Sequence, residues 1–235
     1  MTVAENLAHI RSRIDAAARA ADRDPATVRL LPVSKTKPTS AILEAVDAGL
    51  TRFGENRVQE ALAKWQELAP EHPQVEWAII GHLQTNKARD VARFATEFQA
   101  LDSLHLAREL DKRLHQEGRR LDVLVEVNTS GEPQKSGIEP GEALSFAREL
   151  AAFDALHVTG LMTVAVNSPD ADQVGACFDL LRGVQERLRQ EASQVSSWDD
   201  LSMGMSGDFE LAIAHGATTV RVGQAIFGAR EYPTS

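Results

Sequence analysis

Short runs of apolar, β-rich residues alternate along the chain with longer stretches in which apolar residues recur at the helical period, and the alternation repeats eight times. The strand candidates are residues 29–34 (RLLPVS), 51–53 (TRF), 75–80 (VEWAII), 97–101 (EFQAL), 121–127 (LDVLVEV), 156–164 (LHVTGLMTV), 199–203 (DDLSM) and 218–222 (TTVRV). Several are nearly continuous in apolar residues, as parallel strands buried on both faces are. Between strands, Val174, Cys177, Leu181, Val184 and Leu188 keep a single apolar stripe. Leu104, Ala107, Leu110 and Leu114 form another, closed by Gly118, and Pro140 stands where a first helical turn tolerates it. A further amphipathic helix carrying Leu7, Ile10, Ile14 and Ala17 precedes the first strand. Eight strand–helix units in 235 residues predict an α/β fold: one (β/α)8 TIM-type barrel domain over residues 1–235, with an extra N-terminal helix. A doubly wound open sheet would carry a glycine-rich first turn, and LLPVSKTKP has none. The loosest stretch, EASQVSSWDD (191–200), reads as a loop.

Charge narrows the partners. The formal net charge of -9, with Lys plus Arg at 25 against Asp plus Glu at 34, excludes a general affinity for nucleic acid or anionic membrane and leaves room for a local anion site. A single cysteine rules out an intramolecular disulfide and a cysteine-rich zinc centre. The start MTVAENLAHIRSRID has no signal-peptide core, and no apolar run approaches the roughly 20 residues that span a bilayer, so the expectation is a cytoplasmic protein.

In such a barrel the chemistry sits at the carboxyl ends of the strands. That filter selects Ser34-Lys35-Thr36-Lys37 after strand 1, Gly54-Glu55-Asn56 after strand 2, Gly81-His82-Leu83-Gln84 after strand 3, Asn128 after strand 5, Met162-Thr163 after strand 6, Gly204-Met205-Ser206-Gly207 after strand 7 and Gly223-Gln224 after strand 8. Lys35 ends an apolar strand whose alternation can direct its amine into the barrel mouth, where a desolvated amine suits condensation with a carbonyl. The bland alternative is a lysine snorkelling to the surface. Lys37 shares its parity but precedes Pro38 and reads as loop. The turns GMSG and RVGQ present small residues at helix starts, the place where such barrels bind phosphate, although glycines there also serve tight turns. GMSG misses the nucleophile-elbow spacing by one residue. Arg221 stands inside the end of strand 8, where a buried guanidinium needs an acceptor: a barrel carboxylate, a ring nitrogen or a phosphate.

Other features read blandly. The seven histidines lack metal-site spacing, Cys177 lies on an apolar helical stripe, and the sequon Asn128-Thr129-Ser130 is irrelevant to a cytoplasmic chain. The charges of NKARDVAR (86–93) form a solvated helix face, with Lys87 near enough to the mouth to meet an anion.

Seven ordered blocks carry a resemblance: LLPVSKTKP (30–38), FGENRVQE (53–60), IGHLQTNK (80–87), VNTSGEPQKSGI (127–138), GLMTV (160–164), LSMGMSGDFELAI (201–213) and TTVRVGQAIFGAR (218–230). Together they resemble the pyridoxal phosphate homeostasis protein family, barrels that bind pyridoxal 5′-phosphate (PLP) and are similar to the barrel domain of alanine racemase. The resemblance implies that Lys35 holds PLP as a Schiff base, that Ser206 with the amides of Gly223 and Gln224 binds the phosphate, and that Arg221 faces the pyridine nitrogen. It also implies that Asn56 and Met203 line the same pocket. The sequence departs from the family where Ala78 replaces the histidine usual after the tryptophan, and where Gln224 replaces a small hydroxyl residue; a backbone contact at Gln224 survives that change. The implied role is a monomeric PLP carrier that buffers the cofactor and delivers it to PLP-dependent apoenzymes. It needs no catalytic residue and no metal. The alternatives are an amino-acid racemase of low activity, which needs a second base that Tyr232 in the tail does not obviously supply, and a Schiff-base aldolase acting on sugar phosphates.

Overall fold

The computed structural model describes residues 2–228. Eight strands form one parallel sheet: β1 (Arg29–Pro32), β2 (Arg52–Glu55), β3 (Glu76–Ile79), β4 (Glu97–Leu101), β5 (Leu121–Glu126), β6 (Leu156–Met162), β7 (Asp200–Ser202) and β8 (Thr219–Val222). Their order is β1-β8-β7-β6-β5-β4-β3-β2, and a bridge between Val33 and Gly54 brings the two edges together into a barrel. Each expected strand is present, shortened by a residue or more at several ends where the ladder gives way to loop.

The helices are α1 (Val3–Ala20), α2 (Thr39–Asp47), α3 (Val58–Leu68), α4 (Ala88–Phe94), α5 (Leu104–Glu117), α6 (Ala143–Leu150), α7 (Ala171–Glu191), α8 (Phe209–Ala214) and α9 (Gln224–Phe227). The stripe on α7 is buried as its period requires, Cys177 included, and α5 ends at Gly118. The extra helix α1 starts with a capping box between Thr2 and Glu5 and buries Leu7, Ile10, Ile14 and Ala18. It lies against α8 and α9. There Asn6 Nδ2 donates to the Ile226 carbonyl at 2.9 Å and Arg13 Nε to Glu210 at 2.7 Å, so α1 braces the two helices that follow the last two strands. None of the described helices is long and apolar enough to cross a membrane.

One feature breaks the usual rule that a barrel interior is filled by layers of branched apolar side chains. A chain of polar groups runs through it. At its base, Glu97 is 2% exposed and accepts Arg29 Nη1 and Nη2 at 2.7 and 2.8 Å and Arg52 Nη1 at 2.9 Å. Gln99 Nε2 donates to the same carboxylate, and its Oε1 accepts from Ser202 Oγ at 2.7 Å. Ser202 Oγ accepts in turn from Arg221 Nη1, also at 2.7 Å. Burial pushes Glu97 up, but the bonds and charges of Arg29, Gln99 and Arg52 outweigh it, and the carboxyl titrates below the usual range.

The expected loop at 191–200 holds a buried anchor. Trp198 is fully buried and sits at φ 57, uncommon for a bulky residue. Its indole donates to the Ala192 carbonyl at 3.0 Å, and its own carbonyl accepts from Gln185 Nε2 at 2.6 Å. These bonds account for so strained a residue in a connection.

Candidate functional site

Strand alternation turns Arg29, Leu31, Val33 and Lys35 toward one face of β1 and its continuation, and that face is the barrel interior, because Arg29 reaches Glu97 there. Counted the same way, Asn56 follows β2 on the inner face, and Arg221 and Gly223 share it on β8. They meet at a cavity of about 320 Å³ whose wall includes Lys35, Asn56, Ser206, Arg221, Gly223 and Gln224. Val33, Ile80, Val164 and Phe227 supply an apolar surround, and Lys37 also lines it. Six of the seven expected site residues thus converge on one cavity of ligand size.

Met203 is the exception. It is fully buried, belongs to the hydrophobic core and is not part of the cavity wall. Since Ser202 points into the barrel to meet Gln99, alternation turns Met203 to the opposite side of the strand, against the surrounding helices. Met205, two residues on, lines the cavity instead and is 43% exposed.

Arg221 is 4% exposed and held from two sides: Nη1 donates to Ser202 Oγ and Nη2 to the Thr163 carbonyl, both at 2.7 Å. Burial lowers its pKa to about 10, with the charges of Glu126 and Asp208 opposing, so it remains a cation at neutral pH.

The two turns beside it offer backbone amides. Gly204 has φ +90, and a Cβ there would lie 2.6 Å from the Ala212 side chain, so glycine is required for the chain to turn from β7 into α8. Met205 N is taken by Asp208 Oδ1 at 2.5 Å. Among the described residues, no protein acceptor meets the amides of Ser206, Gly207, Gly223 or Gln224. Gly223 packs so closely on β1 that a Cβ would come within 2.9 Å of the Val33 carbonyl. Four amides and the Ser206 hydroxyl on neighbouring turns suit an anion rich in oxygen acceptors.

Behind Lys35 lies a network that the sequence reading missed. Lys64, on α3 and 7% exposed, directs Nζ to the Ser34 carbonyl, Glu55 Oε1 and Glu60 Oε1 at 2.8, 2.6 and 2.7 Å. Ser34 Oγ donates to Glu55 Oε1 at 2.6 Å, and the Thr36 amide to Glu60 Oε1 at 2.5 Å. Glu60 and Lys64 at i, i+4 were a visible sign, but such pairs are common on solvated faces.

A further buried carboxyl, Glu126 at the end of β5, is 8% exposed with Oε2 lacking a partner among the described residues. Burial, reinforced by the charge of Asp102 and opposed by Arg221, raises its pKa to about 7. Among the described residues the cavity wall holds no histidine, cysteine or carboxylate. Elsewhere Asp111, His115 and Asp154 bring ligand atoms within 4.8 Å of one another, a grouping that sequence spacing did not show, on partly exposed surface where carboxylate–imidazole pairing accounts for it.

The family model described as alanine racemase, N-terminal domain, matches residues 6–231. The pyridoxal phosphate homeostasis protein of Vibrio cholerae is 43% identical over 233 residues, 98% of this chain and 98% of its own length. The chain belongs to the pyridoxal phosphate homeostasis protein family. The structure of PipY from Synechococcus elongatus PCC7942 with PLP bound matches at 36% identity with a TM-score of 0.85, over 97% of this chain and all of that one. Alanine racemase from Streptomyces lavendulae shares the fold alone: it is 17% identical with a TM-score of 0.75, and this chain covers 58% of it.

Proposed function

We propose that this pyridoxal phosphate homeostasis family member binds PLP in the cavity at the barrel mouth and acts as a carrier that buffers the cofactor and delivers it to apoenzymes. The observation that carries the reading is the convergence of Lys35, the amide-bearing turns around Ser206 and Gly223, and Arg221 on one cavity. PipY, its relative with PLP bound, supports it. The residues fit the cofactor: Lys35 would hold the aldehyde as a Schiff base, formed with release of one water, and Ser206 with the amides of Gly223 and Gln224 would take the phosphate. Asn56 and the apolar wall would flank the ring. When bound, PLP supplies an electrophilic carbon and a ring that can accept electron density. Arg221 would limit the second property: a guanidinium donates and does not accept, so facing the pyridine nitrogen it would leave that nitrogen unprotonated and the ring a poor electron sink. Tyr232, weighed above as a base, lies outside the described residues.

The carrier would work as a single-domain monomer, for which the surface gives support: among the described residues the exposed large apolar side chains are Leu180 and Met205.

Two measurements test this reading. Ser206→Ala should weaken PLP retention by about 1–3 kcal/mol, the worth of a hydrogen bond to a charged group. Equilibrium binding of pyridoxal, which lacks the phosphate, should be weaker still; equal affinity for the two ligands would remove the phosphate site. For the role, holoprotein incubated with L- and D-alanine and L- and D-serine in deuterium oxide should show negligible α-proton exchange while passing PLP to an apoenzyme faster than free release allows. Turnover near ordinary enzyme rates of about 1–10³ per second would instead establish the racemase alternative.

A further inference from the structure

Lys64 uses every hydrogen it has. An ammonium carries three donors, and here all three are taken: by the Ser34 carbonyl, Glu55 and Glu60. These acceptors hold the two residues on either side of Lys35. Ser34 is fixed twice, through its carbonyl on Lys64 and its hydroxyl on Glu55. Thr36 is fixed by its amide on Glu60. The Ser34 carbonyl also accepts the Lys37 amide at 3.0 Å, which closes a tight turn around Lys35.

That turn is not one the local sequence would choose. Thr36 has φ 63, a left-handed conformation that strains a β-branched residue and persists only where its surroundings over-determine it. The surroundings that do so are Lys64 and its two carboxylates. None of the three lines the cavity, so none is placed to touch a ligand directly. Among the described residues Glu55 Oε2 is buried without a partner, and burial raises the pKa of its carboxyl.

We infer that Lys64, through Glu55 and Glu60, is a positioning residue that fixes the backbone on both sides of Lys35 and so aims the Lys35 amine into the cavity. The inference rests on the reading of Lys35 as the residue that holds the PLP aldehyde. It separates two parts of binding. The phosphate turns belong to β7 and β8 and do not depend on Lys64, whereas reach and direction of the Lys35 amine do.

The test compares Lys64→Met and the milder Glu60→Ala with the wild type. Affinity is measured for PLP and for pyridoxine 5′-phosphate, which has the ring and phosphate but no aldehyde. Both variants should lose about tenfold in PLP affinity, the effect expected when a charge-assisted contact no longer preorganises the reacting group, and about twofold or less for pyridoxine 5′-phosphate. Equal losses for the two ligands would mean general damage and overturn the positioning role, as would unchanged PLP affinity in variants that unfold cooperatively. Should Lys64→Met fail to fold, Glu60→Ala decides alone, because it frees the Thr36 amide at the partly exposed edge of the network. Failure of the underlying reading shows separately: borohydride treatment of wild type with PLP would then leave Lys35 unlabelled, and the wild type would hold both ligands equally well.

Discussion

Lys35→Ala is expected to abolish the long-wavelength absorbance that PLP gives with the wild-type protein and to raise its dissociation constant by about two orders of magnitude, or roughly 2.7 kcal/mol. The phosphate turns, Asn56 and the apolar wall are untouched by the change, so weak binding should persist, and pyridoxine 5′-phosphate should bind almost as before. Reduction with borohydride followed by peptide mapping should place the label of the wild type on Lys35. The control is Lys37→Ala. Lys37 lines the same cavity, and its amide donates to the Ser34 carbonyl at 3.0 Å. A stoichiometric label on Lys37 or Lys87, or an unchanged spectrum in Lys35→Ala, would overturn the assignment.

Glu126→Gln should stabilise the ligand-free protein at alkaline pH and leave it unchanged in mild acid. The folded-state pKa of Glu126, about 7 against an ordinary 4.5, is raised by burial and by Asp102. The folded protein therefore holds a proton that the unfolded chain releases. Its contribution to stability is complete below about pH 4.5 and is lost as the pH rises through 7, a difference of about 3 kcal/mol at 1.36 kcal/mol per unit. Glutamine has the shape of the protonated acid and never charges. Urea unfolding at pH 4 and pH 8 should show coincident curves at the first and a more stable variant at the second. A variant that tracks the wild type at both values would mean that Glu126 titrates normally.

Much of this was legible in the sequence because the signals were periodic. Parallel strands buried on both faces leave runs such as LDVLVEV, and parity along RLLPVSK allowed Lys35 to face inward as well as to snorkel outward. Met203 went the other way for the same reason: its place in the site came from family likeness, and the parity of its own strand, with Ser202 facing in, turns it outward. What stayed hidden was polar. Glu97 and Gln99 sit in EFQAL, where a strand of mixed composition gives no hint that the polar residues face the interior, since their partners Arg29, Arg52 and Ser202 come from three other strands. Lys64 and Glu60 looked like any surface pair because burial of one helical face against a loop is a tertiary fact. Trp198 looked like part of a loop because its neighbours are serine and aspartate, and only its bonds to Ala192 and Gln185 show why it is buried.

The polar chain through the barrel also decides what Arg221 brings to a ligand. Each link has one direction: the guanidinium can only donate, Ser202 passes its own hydrogen to Gln99, and the amide of Gln99 presents its hydrogens to Glu97. An amide does not exchange places between donor and acceptor without turning over, so the chain is no wire for protons and no two-way switch. It is a lock. A long flexible side chain loses up to about 1.5–2 kcal/mol of rotamer freedom when it is immobilised, and for Arg221 that loss happens as the barrel folds. Whatever enters the mouth meets a cation whose orientation was set by residues at the barrel's far end, and it recovers the whole of that contact without having to order it.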